Sequence, residues 1–173
     1  MANDVKNFGT YSVKNVKSFQ GREGYGFNCT LYRDGKKVGS CIDDASGGEM
    51  YPVSWDAKVD RKEEQRLLNA HIGTLPKVAS SFGDGKMTLT IDEGWFVTEL
   101  VNQFEKQKEV RKVQRQCSTK TLFRTPTMEK GSYSWYKVPY NERVAKFVRE
   151  KQGKDVEIFN EVFAEGKIPS VLA

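Results

Sequence analysis

Arg22 lies among three glycines in Gly21-Arg-Glu-Gly-Tyr-Gly26, a composition that lets backbone N–H groups close around an anion. Glu23 beside it would repel that anion. The next run, Gly26-Phe-Asn-Cys-Thr-Leu-Tyr32, alternates as a strand, whereas a phosphate loop feeds a helix. The segment is therefore read as a strand connection that needs positive φ, with Arg22 and Tyr25 at its tip able to reach a partner. Asp43, Asp44 and Glu49 could hold a hard cation through carboxylate oxygens, the basis of a metal-dependent enzyme. Their spacing matches no calcium loop, and the acidic turn is read as solvated. Cys29, Cys41, Cys117 and His71 number four potential zinc ligands but lack the close spacing of a zinc site. His71 has no Ser, Cys or Asp partner in a recognisable motif that would make it a general base.

Charge gives a stronger signal. Between Lys106 and Lys130 stand eight Lys or Arg against Glu109 and Glu129, a net of +6 in a chain whose total is +5. Lys108, Arg111, Lys112 and Arg115 recur at i, i+3, i+4 and i+7, which puts them on one helix face. Lys120 and Arg124 come next on a strand-like run with Phe123, and Trp135 and Tyr136 lie beyond it. Phosphates could meet such a helix while bases stack on exposed rings. An acidic protein surface or a nucleoprotein would suit the same patch. Trp135 and Tyr136 are adjacent, so a regular strand buries one and exposes the other.

The elements that must position these residues are set by periodicity. Tyr11 to Phe19 reads as a first strand. Gly26–Arg33 and Lys36–Asp43 flank Asp34-Gly35, a two-residue type I′ hairpin turn. A regular ladder from that turn pairs residues whose numbers sum to 69. It sends Phe27, Cys29, Leu31, Val38 and Ile42 inward, and Asn28, Thr30, Tyr32, Lys37 and Cys41 outward. Cys29 and Cys41 then lie on opposite sides of the ribbon, which argues against a disulfide or metal. Met50 to Trp55 is expected as a fourth strand, at an edge because of Pro52. A capping box at Asp60 and Glu63 opens a helix carrying Leu67, Leu68 and Ile72, stopped by Gly73 and Pro76. Residues 74 to 86 read as a loop containing Gly83 and Gly85, and Met87, Leu89 and Ile91 as a brief strand.

Thr90 with Glu93, or Asp92 alone, then caps a helix running to about Gln116. Phe96, Val97, Leu100, Val101 and Phe104 line one face of its first half. The last section reads strand (120–125), strand (133–138), helix capped by Asn141 with Val144, Phe147 and Val148 inward and ended by Gly153, strand (156–159) and tail. The fold class is α+β: an N-terminal antiparallel β-meander, two central helices, the second long and basic at its end, and a C-terminal ββαβ unit. The expected division is 1–116 and 117–173, with the smaller module able to pack as one domain with the first.

At 173 residues the chain can bury a core, and 12% aromatics argue against disorder. No apolar run approaches a membrane span, and the N-terminus has no signal-peptide pattern, so a cytoplasmic protein with no membrane association is expected.

Several words occur together: Gly21-Arg-Glu-Gly-Tyr-Gly-Phe-Asn28, Leu31-Tyr-Arg-Asp-Gly-Lys-Lys-Val38, Gly47-Gly48, Cys117-Ser-Thr-Lys-Thr-Leu-Phe-Arg124 and Lys137-Val-Pro-Tyr140. From about Val16 to Asn160 the chain resembles a group of small bacteriophage and prophage proteins without assigned activity. The resemblance implies a phage-encoded accessory protein in the cytoplasm of an infected bacterium, and brings no catalytic residues. Such proteins often bind and disable host machinery, including CRISPR–Cas and other immune systems.

The resemblance, taken with the basic helix, implies a non-enzymatic binder of a host protein or nucleoprotein complex, with no cofactor and no metal expected. Its expected contacts are Lys108, Arg111, Lys112, Arg115, Lys120, Arg124, Arg22 and Tyr25. Direct DNA or RNA binding through residues 106–115 is the first alternative, and a metal-dependent enzyme the second.

Overall fold

A computed structural model describes residues 9–76, 78–79, 88–89 and 91–173. The chain is α+β and divides into two compact units, one ending at Phe104 and the other beginning at Glu105.

In the first unit, β1 (Tyr11–Gly21), β2 (Gly24–Arg33), β3 (Lys36–Asp43) and β4 (Ser54–Trp55) form an antiparallel sheet in sequence order. Tyr11, Val13, Phe27, Leu31 and Val38 on its inner face pack with Leu68 of α1 (Arg61–Gly73) and with Phe96, Val97, Leu100 and Val101 of α2 (Glu93–Gln116). Asp34 and Gly35 have φ of 50° and 76°, as a type I′ turn requires.

The expected register holds only beside that turn. Arg33 pairs Lys36 and Tyr32 pairs Lys37, but Leu31 then pairs Gly39, so Val38 is an extra residue on β3. This bulge reverses every facing beyond it. Cys41 turns inward directly opposite Cys29, both buried, and Ile42 turns outward at 45% exposure. The two thiols therefore share a face, contrary to the regular-ladder expectation. A second bulge lies in β1, where Asn15 has φ 54° and its Nδ2 reaches Thr30 Oγ1 at 3.4 Å.

β4 is shorter than Met50–Trp55, with Tyr51 and Pro52 outside it, and it does occupy an edge. Asp60 Oδ1 accepts from the backbone N–H of Lys62 and Glu63 and so starts α1, while the Glu63 carboxylate is engaged by Arg66 at 2.7 Å. Half the capping box forms. Val78–Ala79 (β5) pairs with Thr88–Leu89 (β6), so the expected 74–86 loop contains a strand; Gly83, Gly85, Met87 and Thr90 lie outside the described residues. Asp92 caps α2, its Oδ1 accepting from Trp95 N at 2.7 Å.

In the second unit, the distal half of α2 shares a core with the elements C-terminal to it: Val113 is buried with Leu122 and Phe159. β7 (Thr121–Arg124) is the centre of a three-stranded sheet, flanked by β8 (Ser134–Tyr136) and β9 (Glu157–Ile158). α3 (Glu142–Gln152) lies between β8 and β9 in sequence, capped by Asn141 and ended by Gly153 at φ 96°. Ala145 and Val148 face its core, whereas Phe147 is 44% exposed, edge-on to Tyr136 at 5.6 Å. A final helix, α4 (Phe159–Ala164), replaces the end of the expected strand. The segment after it is anchored: Glu157 accepts from Ser170 N and Oγ, and Val171 and Leu172 pack on the Phe159 cluster.

Candidate functional site

The basic face of α2 is held outward by the packing on its opposite side. Val113 is fully buried while Lys108, Arg111, Lys112 and Arg115 are exposed. Asn160 fixes the helix end: its Nδ2 donates to the carbonyls of Cys117 and Lys120 at 2.9 and 3.0 Å, and its Oδ1 accepts from Leu122 N at 3.1 Å. One side chain thus locks the helix exit to the first residues of β7.

Local carboxylates divide the four cations into two kinds. Lys108 pairs with Glu105 at 3.1 Å and Lys112 with Glu109 at 3.3 Å. Exposed pairs of this type are worth little and open readily. Arg111 and Arg115 form no ion pair among the described residues and sit one turn apart, able to meet phosphates or carboxylates bidentately. Arg115 also complements the carbonyl end of the helix. Lys120 and Arg124 are half-buried. Lys120 Nζ lies 5.1 Å from the Trp135 ring centroid, and Arg124 donates to Met128 O at 3.4 Å. Arg124 Nε is buried without a hydrogen-bond partner. Trp135 is 49% exposed, and its neighbour Tyr136 stacks on Phe123 with centroids 5.2 Å apart, so the two rings face opposite sides.

The Gly21–Gly26 segment is a tight turn with Arg22 and Glu23 at its tip, joining paired Gly21 and Gly24. The Glu23 N–H donates to Ala45 O at 2.8 Å, so that amide faces protein. A Cβ on Gly21 would meet Ala45 Cβ at 2.4 Å, and one on Gly26 would meet Asp43 O at 2.4 Å. These glycines permit close approach of chain to chain. Arg22 is exposed, and Tyr25 is 80% exposed.

The acidic loop is knitted by its own hydrogen bonds. Asp43 accepts from Ala45 N at 2.9 Å; Asp44 accepts from Ser46 N, Ser46 Oγ and Tyr51 Oη. The bonds from Ser46 and Tyr51 hold the Asp44 carboxyl below its ordinary range, and the same contact raises the Tyr51 phenol. Asp43 and Glu49 line a cleft of about 530 Å³ with Asp92 and Glu93, but Glu93 is bound by Val53 N and Gln65 Nε2, both at 2.8 Å. Among the described residues no group of three or more His, Cys, Asp or Glu is arranged to hold a metal ion.

The remaining candidates are packed groups. His71 rests against Tyr11 and Phe96 at centroid distances of 5.0 and 5.4 Å, and its Nε2 is buried without a partner. The hydrogen bond to Cys29 and burial push the Cys41 thiol up, and burial alone pushes Cys117 up to about 11. Both shifts favour the protonated thiol at Cys41 and Cys117, while the hydrogen bond from Cys41 lowers the Cys29 thiol.

Alternation and helical periodicity do place a polar centre that motif reading passes over. Arg33 shares the parity of Phe27, Cys29 and Leu31, and Glu64 lies one turn before Leu68. Arg33 Nε and Nη2 donate to the two Glu64 oxygens at 2.9 and 2.7 Å, with Glu64 only 6% exposed. The bond to Glu64 raises the Arg33 pKa, and burial pushes the nearby Tyr11 phenol up to about 12.

Among the described residues no helix is long and apolar enough to cross a membrane. Compared with protein-family models, curated proteins and solved structures, the chain matches none.

Proposed function

We propose that this chain is a non-enzymatic accessory protein that binds and inhibits a macromolecule of a bacterial host through the distal half of α2. The observation that carries the reading is the pair Arg111 and Arg115, exposed and outside any ion pair among the described residues, on a helix face that Val113 and Asn160 hold in place. Two exposed guanidinium groups one turn apart on an anchored helix suit a polyanionic surface. The resemblance to phage proteins supports an infected bacterium as the setting and a defence component, such as a CRISPR–Cas nucleoprotein, as the target. Lys108 and Lys112 add charge once their glutamates are displaced, and Lys120 beside Trp135 extends the surface. Arg22 at the turn tip and Tyr25 on the adjoining start of β2 form a separate, exposed point of contact.

Affinity purification of the tagged protein from bacterial lysate at low salt, with and without nuclease, tests this. A stoichiometric host protein or nucleoprotein is expected; its absence under both conditions would overturn the reading. Direct nucleic-acid binding by the same face predicts instead capture that nuclease abolishes, with affinity falling steeply as salt rises.

A further inference from the structure

The outward face of the first unit's sheet carries chemistry that the α2 surface does not use. The two bulges and the alternation between them bring Lys14, Lys17, Phe19, Asn28, Tyr32 and Ile42 onto one open face. The outward positions of β1, β2 and β3 include Lys14, Lys17 and Lys37 and no carboxylate. Lys37 is engaged by Asp56 at 3.1 Å, whereas Lys17 is exposed and outside any ion pair among the described residues.

The rings are placed for stacking. Phe19 lies across Gly26 on the adjacent strand: a Cβ there would fall 2.7 Å from the ring, yet the residue is 38% exposed. Tyr32 stands six residues further along β2, about 20 Å away at the rise of an antiparallel strand. Lys14 Nζ sits 4.5 Å from its ring centroid. Between the two rings lie Lys17 and Asn28, directly paired across the strands.

We infer that this face binds a single strand of nucleic acid, with Phe19 and Tyr32 stacking on bases at its two ends and Lys14 and Lys17 meeting the phosphates between them. Partly exposed rings with cations between them in one file are what single strands require, and a base stacking on Tyr32 would displace the Lys14 ammonium toward a phosphate. A duplex keeps its base faces covered, and an acidic peptide would use the lysines alone. The surface belongs to the first unit and shares no residue with the cationic face of α2 in the second.

Fluorescence anisotropy of the full chain with a labelled oligothymidylate of about twelve nucleotides tests the inference, with the matching duplex and polyglutamate as competitors. Tighter binding to the single strand than to the duplex is expected. Phe19→Ala should weaken it roughly tenfold, and Tyr32→Ala similarly. Lys17→Gln, a fully surface change, should reduce the slope of log affinity against log salt by about 0.7. Arg111→Glu with Arg115→Glu should leave the Phe19-dependent part of binding intact. Absence of oligothymidylate binding would overturn the inference. So would equal affinity for the duplex, or displacement by polyglutamate with no effect of Phe19→Ala and Tyr32→Ala.

Discussion

Arg33 donates two hydrogen bonds to the Glu64 carboxylate at the edge of the first unit's core. Removing one partner leaves the other charge poorly solvated. Glu64→Ala should therefore cost about 2 kcal/mol in urea unfolding, less than for a fully buried pair because Arg33 keeps water contact and its ion pair with Asp34 at 3.1 Å. Tyr11 offers a sharper test, because its hydroxyl is buried without a hydrogen-bond partner. Its folded-state pKa of about 12 lies above the ordinary value of 10.0, so the stability held by the neutral phenol is complete below pH 10.0 and is lost as pH rises toward about 12. Tyr11→Phe should flatten that alkaline loss while costing little at neutral pH, as chemical denaturation from about pH 9 to about pH 12 would show. Both groups are visible in sequence patterning: Arg33 keeps the inward parity of its strand, and Glu64 lies one turn from Leu68 on α1. What the patterns lack is the pairing, since nothing local to position 33 specifies position 64.

At the scale of elements, the hairpin turn is legible because Asp34 and Gly35 both tolerate positive φ, and the α2 stripe is legible because five apolar residues repeat at helical spacing. The bulge at Val38 is not. One inserted residue carries no distinctive composition, yet it decides which face Cys41 and Ile42 occupy. α4 escapes for a related reason: six residues after a strand-like Val156–Ile158 are too few to declare a helical period. The glycines flanking the first hairpin are there for close packing, and Gly26→Ala, which brings a Cβ to 2.4 Å from Asp43 O, should lower stability by about 1–3 kcal/mol. On α2 the expectation runs the other way. Arg111→Glu with Arg115→Glu should leave the thermal midpoint within a few degrees of wild type, because neither guanidinium makes an ion pair among the described residues. The same variant should elute from immobilised heparin at markedly lower salt.

For the molecule as a whole, two compact units each own a core, and the cationic helix face belongs to the second while the open sheet face belongs to the first. Charge distribution is the part of the functional reading that the amino-acid order alone makes legible, because a net of +6 over residues 106–130 needs only counting. Which of those cations are available needs the geometry: Lys120 and Arg124 are half-buried, and Lys108 and Lys112 are paired. Lys106 and Lys130 lie outside the i, i+3, i+4, i+7 face, so on that face Arg111 and Arg115 are the available pair, and the proposed function rests on them. The most direct measurement is side-by-side affinity purification of wild type and the Arg111→Glu, Arg115→Glu variant from the same bacterial lysate, with retained host material quantified per mole of bait. A stoichiometric host complex is expected on the wild type and is expected to be lost from a variant that remains folded. Equal retention by both proteins would contradict the proposed function.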